Sequence, residues 1–251
     1  MGINTISVVG TNTTGHACMR LLQDARLYVL VEINGSNEIS FWNDGSPWIP
    51  FDNALLKHSQ AVYDNFQTYS NVLGFRIRIR DKTEVNLKSM PIKKALIREL
   101  KEYARNKGYR NIPVGIDGAD HGSTTLFDYM TCGNDLEAPD FYALNVGSNL
   151  PLDADEPRER VYLNSSIEYF IDLRRRYNNV SVPVLLRYGY RMDNNHTFDE
   201  VRLIYESPMT DVFSGAMFGQ WFDDRSRGGK DNGMATFVDT KHNLRQTLTT
   251  N

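Results

Sequence analysis

Short apolar runs alternate with longer stretches of helical period along this chain, and that alternation limits the available folds more than any other feature. The strand-like runs are Ile3–Val9, Leu27–Ile33, Val72–Arg80, Ile112–Ile116, Phe141–Val146, Val182–Leu186 and Gly215–Phe222. Between them lie helical candidates at Ala17–Ala25, Ala54–Thr68, Pro91–Asn106, Glu159–Tyr177 and Phe198–Glu206. Ser89 precedes Pro91 by two residues and Gly108 follows the same helix, a start and a stop signal. Thr197 stands as a cap before Phe198, with Glu200 in the capping-box position. Strand and helix in regular succession predict parallel strands joined by crossover helices. The expected fold class is α/β, a (β/α)8 TIM barrel, but only seven strands are legible.

Size and charge fit that expectation. The 251 residues are 41% hydrophobic and 24% charged, enough for one domain with a substantial core and close to the usual barrel length. A net charge of −3 argues against nucleic acid or an anionic membrane as partner. No Gly/Ser-rich linker divides the chain, so residues 1–251 are expected to form a single domain. The segment Ile3–Val9 is too short and lacks the basic flank of a signal peptide, and the residues ending at Asn251 carry no apolar tail for a span or anchor. Five Asn-x-Ser/Thr sequons, at Asn12, Asn34, Asn164, Asn179 and Asn195, lean mildly toward a secreted ancestry. Two cysteines, Cys18 and Cys132, permit one disulfide or none. No metal-ligand spacing or cofactor motif is evident.

A set of segments carries a more specific signal. They are Gly2-Ile3-Asn4-Thr5-Ile6, Ala17-Cys18-Met19, Leu27-Tyr28-Val29, Tyr69-Ser70-Asn71-Val72-Leu73-Gly74-Phe75 and Lys107-Gly108-Tyr109-Arg110-Asn111-Ile112-Pro113-Val114-Gly115. Cys132-Gly133, Asp140-Phe141-Tyr142-Ala143-Leu144-Asn145, Val182-Pro183-Val184 and Met209-Thr210-Asp211-Val212-Phe213-Ser214-Gly215 complete the series. In this order and near this spacing, over residues 2–235, the chain resembles the fungal β-1,3-glucanosyltransferases of glycoside hydrolase family 72. Those proteins are GPI-anchored cell-wall glucan elongases. The resemblance implies a TIM barrel whose first strand would precede Gly2, which accounts for the strand that is missing. It implies a β-1,3-glucan or oligosaccharide partner, no cofactor, and a location at the plasma membrane or cell wall. It also implies that Cys18 and Cys132 bond to cysteines outside this chain, leaving both as free thiols here; a third pair falls on Leu150 and Tyr190.

The same resemblance locates the chemistry, and the chemistry is altered. A retaining glycosidase needs a nucleophilic carboxylate and an acid/base carboxylate roughly 5 to 5.5 Å apart. Counting from Leu73-Gly74-Phe75, the acid/base position falls on Arg80, at the end of the alternating run Arg76-Ile77-Arg78-Ile79-Arg80. A second alignment with four extra residues makes Glu84, in Thr83-Glu84-Val85, the fallback acid/base. Keeping Tyr188-Gly189 in place puts Arg187 at the nucleophile position; the ungapped alternative puts Tyr188 there. Arginine stays protonated and offers only donors, so it performs neither role. Two guanidinium groups about 5 Å apart also repel by roughly 3 kcal/mol at an effective dielectric near 20. They should splay, hold an anion, or pair with Glu32 or Asp120.

Other substrate positions have drifted. The second-strand arginine and tyrosine of the family become Ser7 and Val9, and the aspartate ending the third strand becomes Glu32. Asn145 is kept, but the aromatic two residues later is Gly147. Glu32 reads either as a sugar-binding group or as a counter-ion to the new arginines, and Asn145 as a subsite or a backbone partner. Trp221 and Phe218 offer stacking faces or core packing, and His121 beside Asp120 reads as an ordinary loop residue. Three outcomes follow: an active glucan transferase, a relative that binds glucan without turnover, and a decayed product without a stable fold. The missing carboxylates favour weak or absent activity. Two acidic groups facing one another across the barrel mouth would overturn that expectation.

Overall fold

The computed structural model describes residues 3–10, 16–34, 53–78, 90–119, 124–146, 158–188, 199–206, 208–218, 220–222, 233–240 and 243–247. Strand and helix alternate as β1 (Thr5–Val9), α1 (His16–Asp24), β2 (Tyr28–Glu32), α2 (Asn53–Phe66), β3 (Val72–Ile77), α3 (Met90–Asn106), β4 (Val114–Ala119), α4 (Thr125–Thr131) and β5 (Tyr142–Asn145). They continue as α5 (Arg158–Arg176), β6 (Val184–Tyr188), α6 (Asp199–Tyr205) and β7 (Phe213–Phe218). Three more strands, β8 (Gln220–Phe222), β9 (Gly233–Thr240) and β10 (Asn243–Thr247), make a separate sheet in the order β10-β9-β8.

The chain divides into two compact units, Met1–Gly118 with Ser123–Ala143, and Ala119–Gly122 with Leu144–Asn251. In the first unit β1, β2, β3 and β4 pair in parallel and in chain order, with the start of β5 beside β4. In the second, β6 pairs in parallel with β7, and the Val146 N–H at the end of β5 donates to the Arg187 carbonyl at 2.9 Å. Seven barrel strands in sequential order, each of the first six followed by a helix, make a (β/α)8-type fold with one strand fewer than eight.

Register decides what each face of the first unit's sheet can hold. Residues opposite one another in parallel strands point the same way, so Val9↔Glu32↔Arg76↔Gly115 share one face. The other face carries Val31, Phe75, Ile77, Val114 and Ile116, all buried. It packs on α2, whose buried residues Leu55, Ser59, Val62, Tyr63 and Phe66 recur at helical spacing. The Tyr63 and Phe75 rings lie 4.3 Å apart between centroids. Outside that layer Asp64 accepts hydrogen bonds from the hydroxyls of Tyr103 and Tyr109 at 2.9 Å, tying α2 to α3 and to the turn after it. Burial first, and then the bond to Asp64, push the Tyr103 hydroxyl up to about 12. Gly108, at φ +67, ends α3 in the left-handed region, which glycine adopts without a Cβ penalty.

Several expectations are corrected. The apolar run Gly215–Phe222 is two strands: β7 already starts at Phe213, and β8 pairs with β9 rather than continuing it. The two-turn helix α4 and the strands β9 and β10 had no periodic signal strong enough to read. β3 contains one residue more than β2 between the pairs Val29↔Val72 and Leu30↔Gly74, and this bulge turns Leu73 outward. Ser89 and Thr197 lie outside the described residues. Cys18 and Cys132 are both free and exposed.

Glycine on the inner face is needed where strands and rings meet. A Cβ at Gly115 would overlap the ring of Phe141, which is 7% exposed. Gly115→Ala should therefore lower the unfolding free energy by about 1–3 kcal/mol through overpacking. Leu73→Ala at the exposed bulge should change it by less than about 0.5 kcal/mol. Urea denaturation of both variants checks this; an unchanged midpoint for Gly115→Ala would contradict the packing of Phe141 on β4.

Candidate active site

The inner face of the first unit becomes charged toward the carboxyl ends of its strands, where a barrel of this class places its site. Arg76 is the centre. Its side chain is 5% exposed, and its Nη1 donates to both oxygens of Asp117 on β4, at 3.1 and 2.9 Å. Nη2 donates to Ser7 Oγ on β1 at 3.0 Å and lies 3.6 Å from Glu32 Oε2 on β2. Arg76 Nε, also buried, has no hydrogen-bond partner. Glu32 Oε2 also accepts from Arg78 Nη1 at 3.3 Å, and Arg78 is 30% exposed. Two guanidinium groups and two carboxylates from β2, β4 and the end of β3 thus balance in charge, with Ser7 of β1 as a neutral partner.

The neighbouring backbone is fixed by Asn34. Its side-chain NH2 donates to the Arg78 carbonyl at 3.0 Å, and its Oδ1 accepts from the Arg78 N–H at 2.8 Å. That reciprocal pair extends the β2–β3 ladder by one rung and holds Arg78 where it reaches Glu32. It also removes one candidate for glycosylation. Asn34 is 4% exposed with both amide atoms engaged, whereas Asn179, in the turn after α5, is exposed.

The residues singled out from the sequence fall unevenly. Glu32 is the buried counter-ion of Arg76 and Arg78. Arg80, Glu84, Asp120 and His121 lie outside the described residues. In the second unit Arg187 sits near the end of β6 opposite Met217, partly exposed, and Asn145 ends β5, also partly exposed. Trp221 belongs to β8, in the three-stranded sheet. Sequence reasoning gave Arg76 and Asp117 no role, and Asn34 only that of a glycosylation sequon. The alternation Arg76-Ile77-Arg78 carried the signal, because an arginine on the inner face of a buried strand demands a carboxylate nearby.

Two acidic groups therefore do converge, but with a guanidinium between them. Glu32 and Asp117 each neutralise Arg76 rather than facing open space. Among the described residues, no group of three or more His, Cys, Asp or Glu side chains is placed to hold a metal ion. No helix there is long and apolar enough to cross a membrane.

A parallel barrel with polar side chains gathered at its strand ends defines a class of scaffold, and comparison with known proteins narrows it. Residues 1–246 match glycoside hydrolase family 72, described as glucanosyltransferase. The chain is 31% identical over 247 residues to pH-responsive protein 2 of Candida albicans, covering 94% of this chain and 43% of that protein. It is 30% identical to the 1,3-beta-glucanosyltransferases gas4 of Schizosaccharomyces pombe and gel1 of Aspergillus fumigatus, over 86% and 91% of this chain. A mutant of Saccharomyces cerevisiae Gas2p, solved with laminaritetraose and laminaripentaose, aligns with a TM-score of 0.75 at 25% identity. That alignment covers 95% of this chain and 51% of Gas2p. The chain belongs to the glucanosyltransferase family. It spans about half the length of the relatives it matches, 43%, 48% and 49% of the three named above.

Removing the central cation tests the ion cluster. Arg76→Met leaves Glu32 and Asp117 buried without it, and should cost about 3–5 kcal/mol of stability at pH 7. Urea denaturation at pH 7 reads the loss; a variant as stable as the parent would contradict the cluster.

Proposed function

We propose that this chain is a glucanosyltransferase-family barrel, with 1–251 acting as one domain, that binds β-1,3-glucan and transfers it weakly or not at all. The observation that carries this reading is the Arg76 cluster. Both carboxylates that converge at the strand ends of the first unit, Glu32 and Asp117, are bonded to a buried guanidinium. A carboxylate so held is a counter-ion, and neither is free to attack an anomeric carbon or protonate a leaving oxygen.

The altered positions support the same conclusion. Arg80 and Arg187 stand where the family resemblance calls for the acid/base and the nucleophile, and neither can donate an electron pair at neutral pH. Covalent glycosyl transfer needs both groups together, and loss of members of such a unit removes several kcal/mol of transition-state stabilisation. Binding draws on different groups. Gas2p holds laminari-oligosaccharides in its solved complex, and Asn145 and Trp221, both in the second unit, are the sugar contacts of this proposal. The cell-wall location of the family extends to this chain as part of the proposal, and Asn179 is then the accessible acceptor for glycosylation.

The active reading takes Glu84 as acid/base through the alignment with four extra residues, and draws on 30% identity to proteins named as transferases. Incubation with a reduced laminari-oligosaccharide separates the two. The expected result is a binding isotherm with no longer products by mass spectrometry or high-performance chromatography. Conversion of the bulk of the donor into longer products would overturn the proposal, and absence of binding would remove its first half.

A further inference from the structure

Arg78 carries donors that the ion cluster does not use. Its Nη1 donates to Glu32 Oε2 at 3.3 Å, whereas Nε and Nη2 bond nothing among the described residues. The Arg78 side chain is 30% exposed, against 5% for Arg76 and 1% for Glu32, so it is the part of the cluster that meets solvent. It directly follows β3, at the carboxyl end of the strand, where barrels of this class gather their ligand contacts. Little of its freedom remains. Asn34 Oδ1 accepts from the Arg78 N–H at 2.8 Å, the Asn34 amide donates to the Arg78 carbonyl at 3.0 Å, and Glu32 anchors one corner of the guanidinium. A planar group held at its root and at one corner presents Nε and Nη2 as a two-donor fork, and loses little entropy when an acceptor arrives.

Charge balance says what kind of acceptor that is. Arg76 and Arg78 are already matched by Glu32 and Asp117, so an added anion would leave the cluster with an excess of negative charge beside Glu32. Donors, by contrast, are in surplus, because Arg76 Nε is also buried without a hydrogen-bond partner. A neutral group rich in lone pairs satisfies both conditions. From this balance we infer that Arg78 is a glucan-contacting residue of the first unit, its Nε and Nη2 donating to two oxygens of one glucosyl ring. Glu32 and Asn34 are its positioning residues. The inference rests on the glucan-binding reading and adds to it a contact at a position to which sequence reasoning gave no role.

Phenylglyoxal, which condenses with accessible guanidinium groups, tests the contact on the full chain. Peptide mapping after brief treatment should show modification of Arg78 slowed several-fold by saturating laminarihexaose, with Arg175, 81% exposed on α5, unprotected. Inorganic phosphate in place of the sugar should leave Arg78 as reactive as before. Arg78→Lys keeps a cation beside Glu32 but removes the fork. It should retain the parent's urea midpoint and bind laminarihexaose about tenfold more weakly, the scale of one lost charge-assisted hydrogen bond. Binding by the parent without protection of Arg78, or with equal affinity in Arg78→Lys, would overturn this contact and leave the glucan reading standing. Protection by phosphate would overturn the assignment to a neutral acceptor. Failure of the parent to bind laminarihexaose would overturn both the contact and the reading beneath it.

Discussion

Burial of the Arg76 guanidinium against two carboxylates is the interaction on which the character of this barrel depends. One face of the β1–β4 sheet is closed by aliphatic and aromatic side chains against α2. The inner face makes a different demand. An arginine 5% exposed must be neutralised and hydrogen-bonded, and Asp117, Glu32 and Ser7 come from three other strands to do it. Strand order, register and the Asn34 rung all serve to bring those groups to one level. Once they are there, the carboxylates are committed to charge balance.

That commitment links the structure to the proposed loss of turnover. Family 72 chemistry, as the resemblance implies, needs two acids with opposite tasks. Here Glu32 and Asp117, the acids that meet at the strand ends of the first unit, are both counter-ions of Arg76, and Glu32 of Arg78 as well. Glucan binding asks for less, because hydroxyl recognition and ring stacking use donors, acceptors and flat apolar faces that arginine and asparagine can partly supply. A scaffold can keep the second property after losing the first.

The barrel was legible in the sequence because its strands are short apolar runs and its long helices bury one clear stripe, as α2 and α3 do. Signals failed where periodicity had too few residues to show. α4 spans only Thr125–Thr131, and β8 follows so soon after β7 that the two read as one run. Glu32 was legible as a counter-ion, but its partners were not. Counting to the family's catalytic position drew attention to Arg80 and past Arg76, although both lie on the same alternating stretch. Asp117 was hidden for another reason: a lone aspartate between Ile116 and Gly118 resembles a strand end, and only register shows that it points at an arginine forty-one residues earlier. The Asn34 sequon misled because the motif is local while the burial of its amide is tertiary.

The most direct test of the central claim is covalent trapping. A β-1,3-linked glucosyl donor carrying a 2-fluoro substituent and an activated fluoride leaving group accumulates a glycosyl-enzyme ester wherever a nucleophilic carboxylate operates. Intact mass measurement after prolonged incubation should show the chain unmodified. A glycosyl adduct mapped to Glu32, Glu84, Asp117 or any other acidic residue would contradict the account.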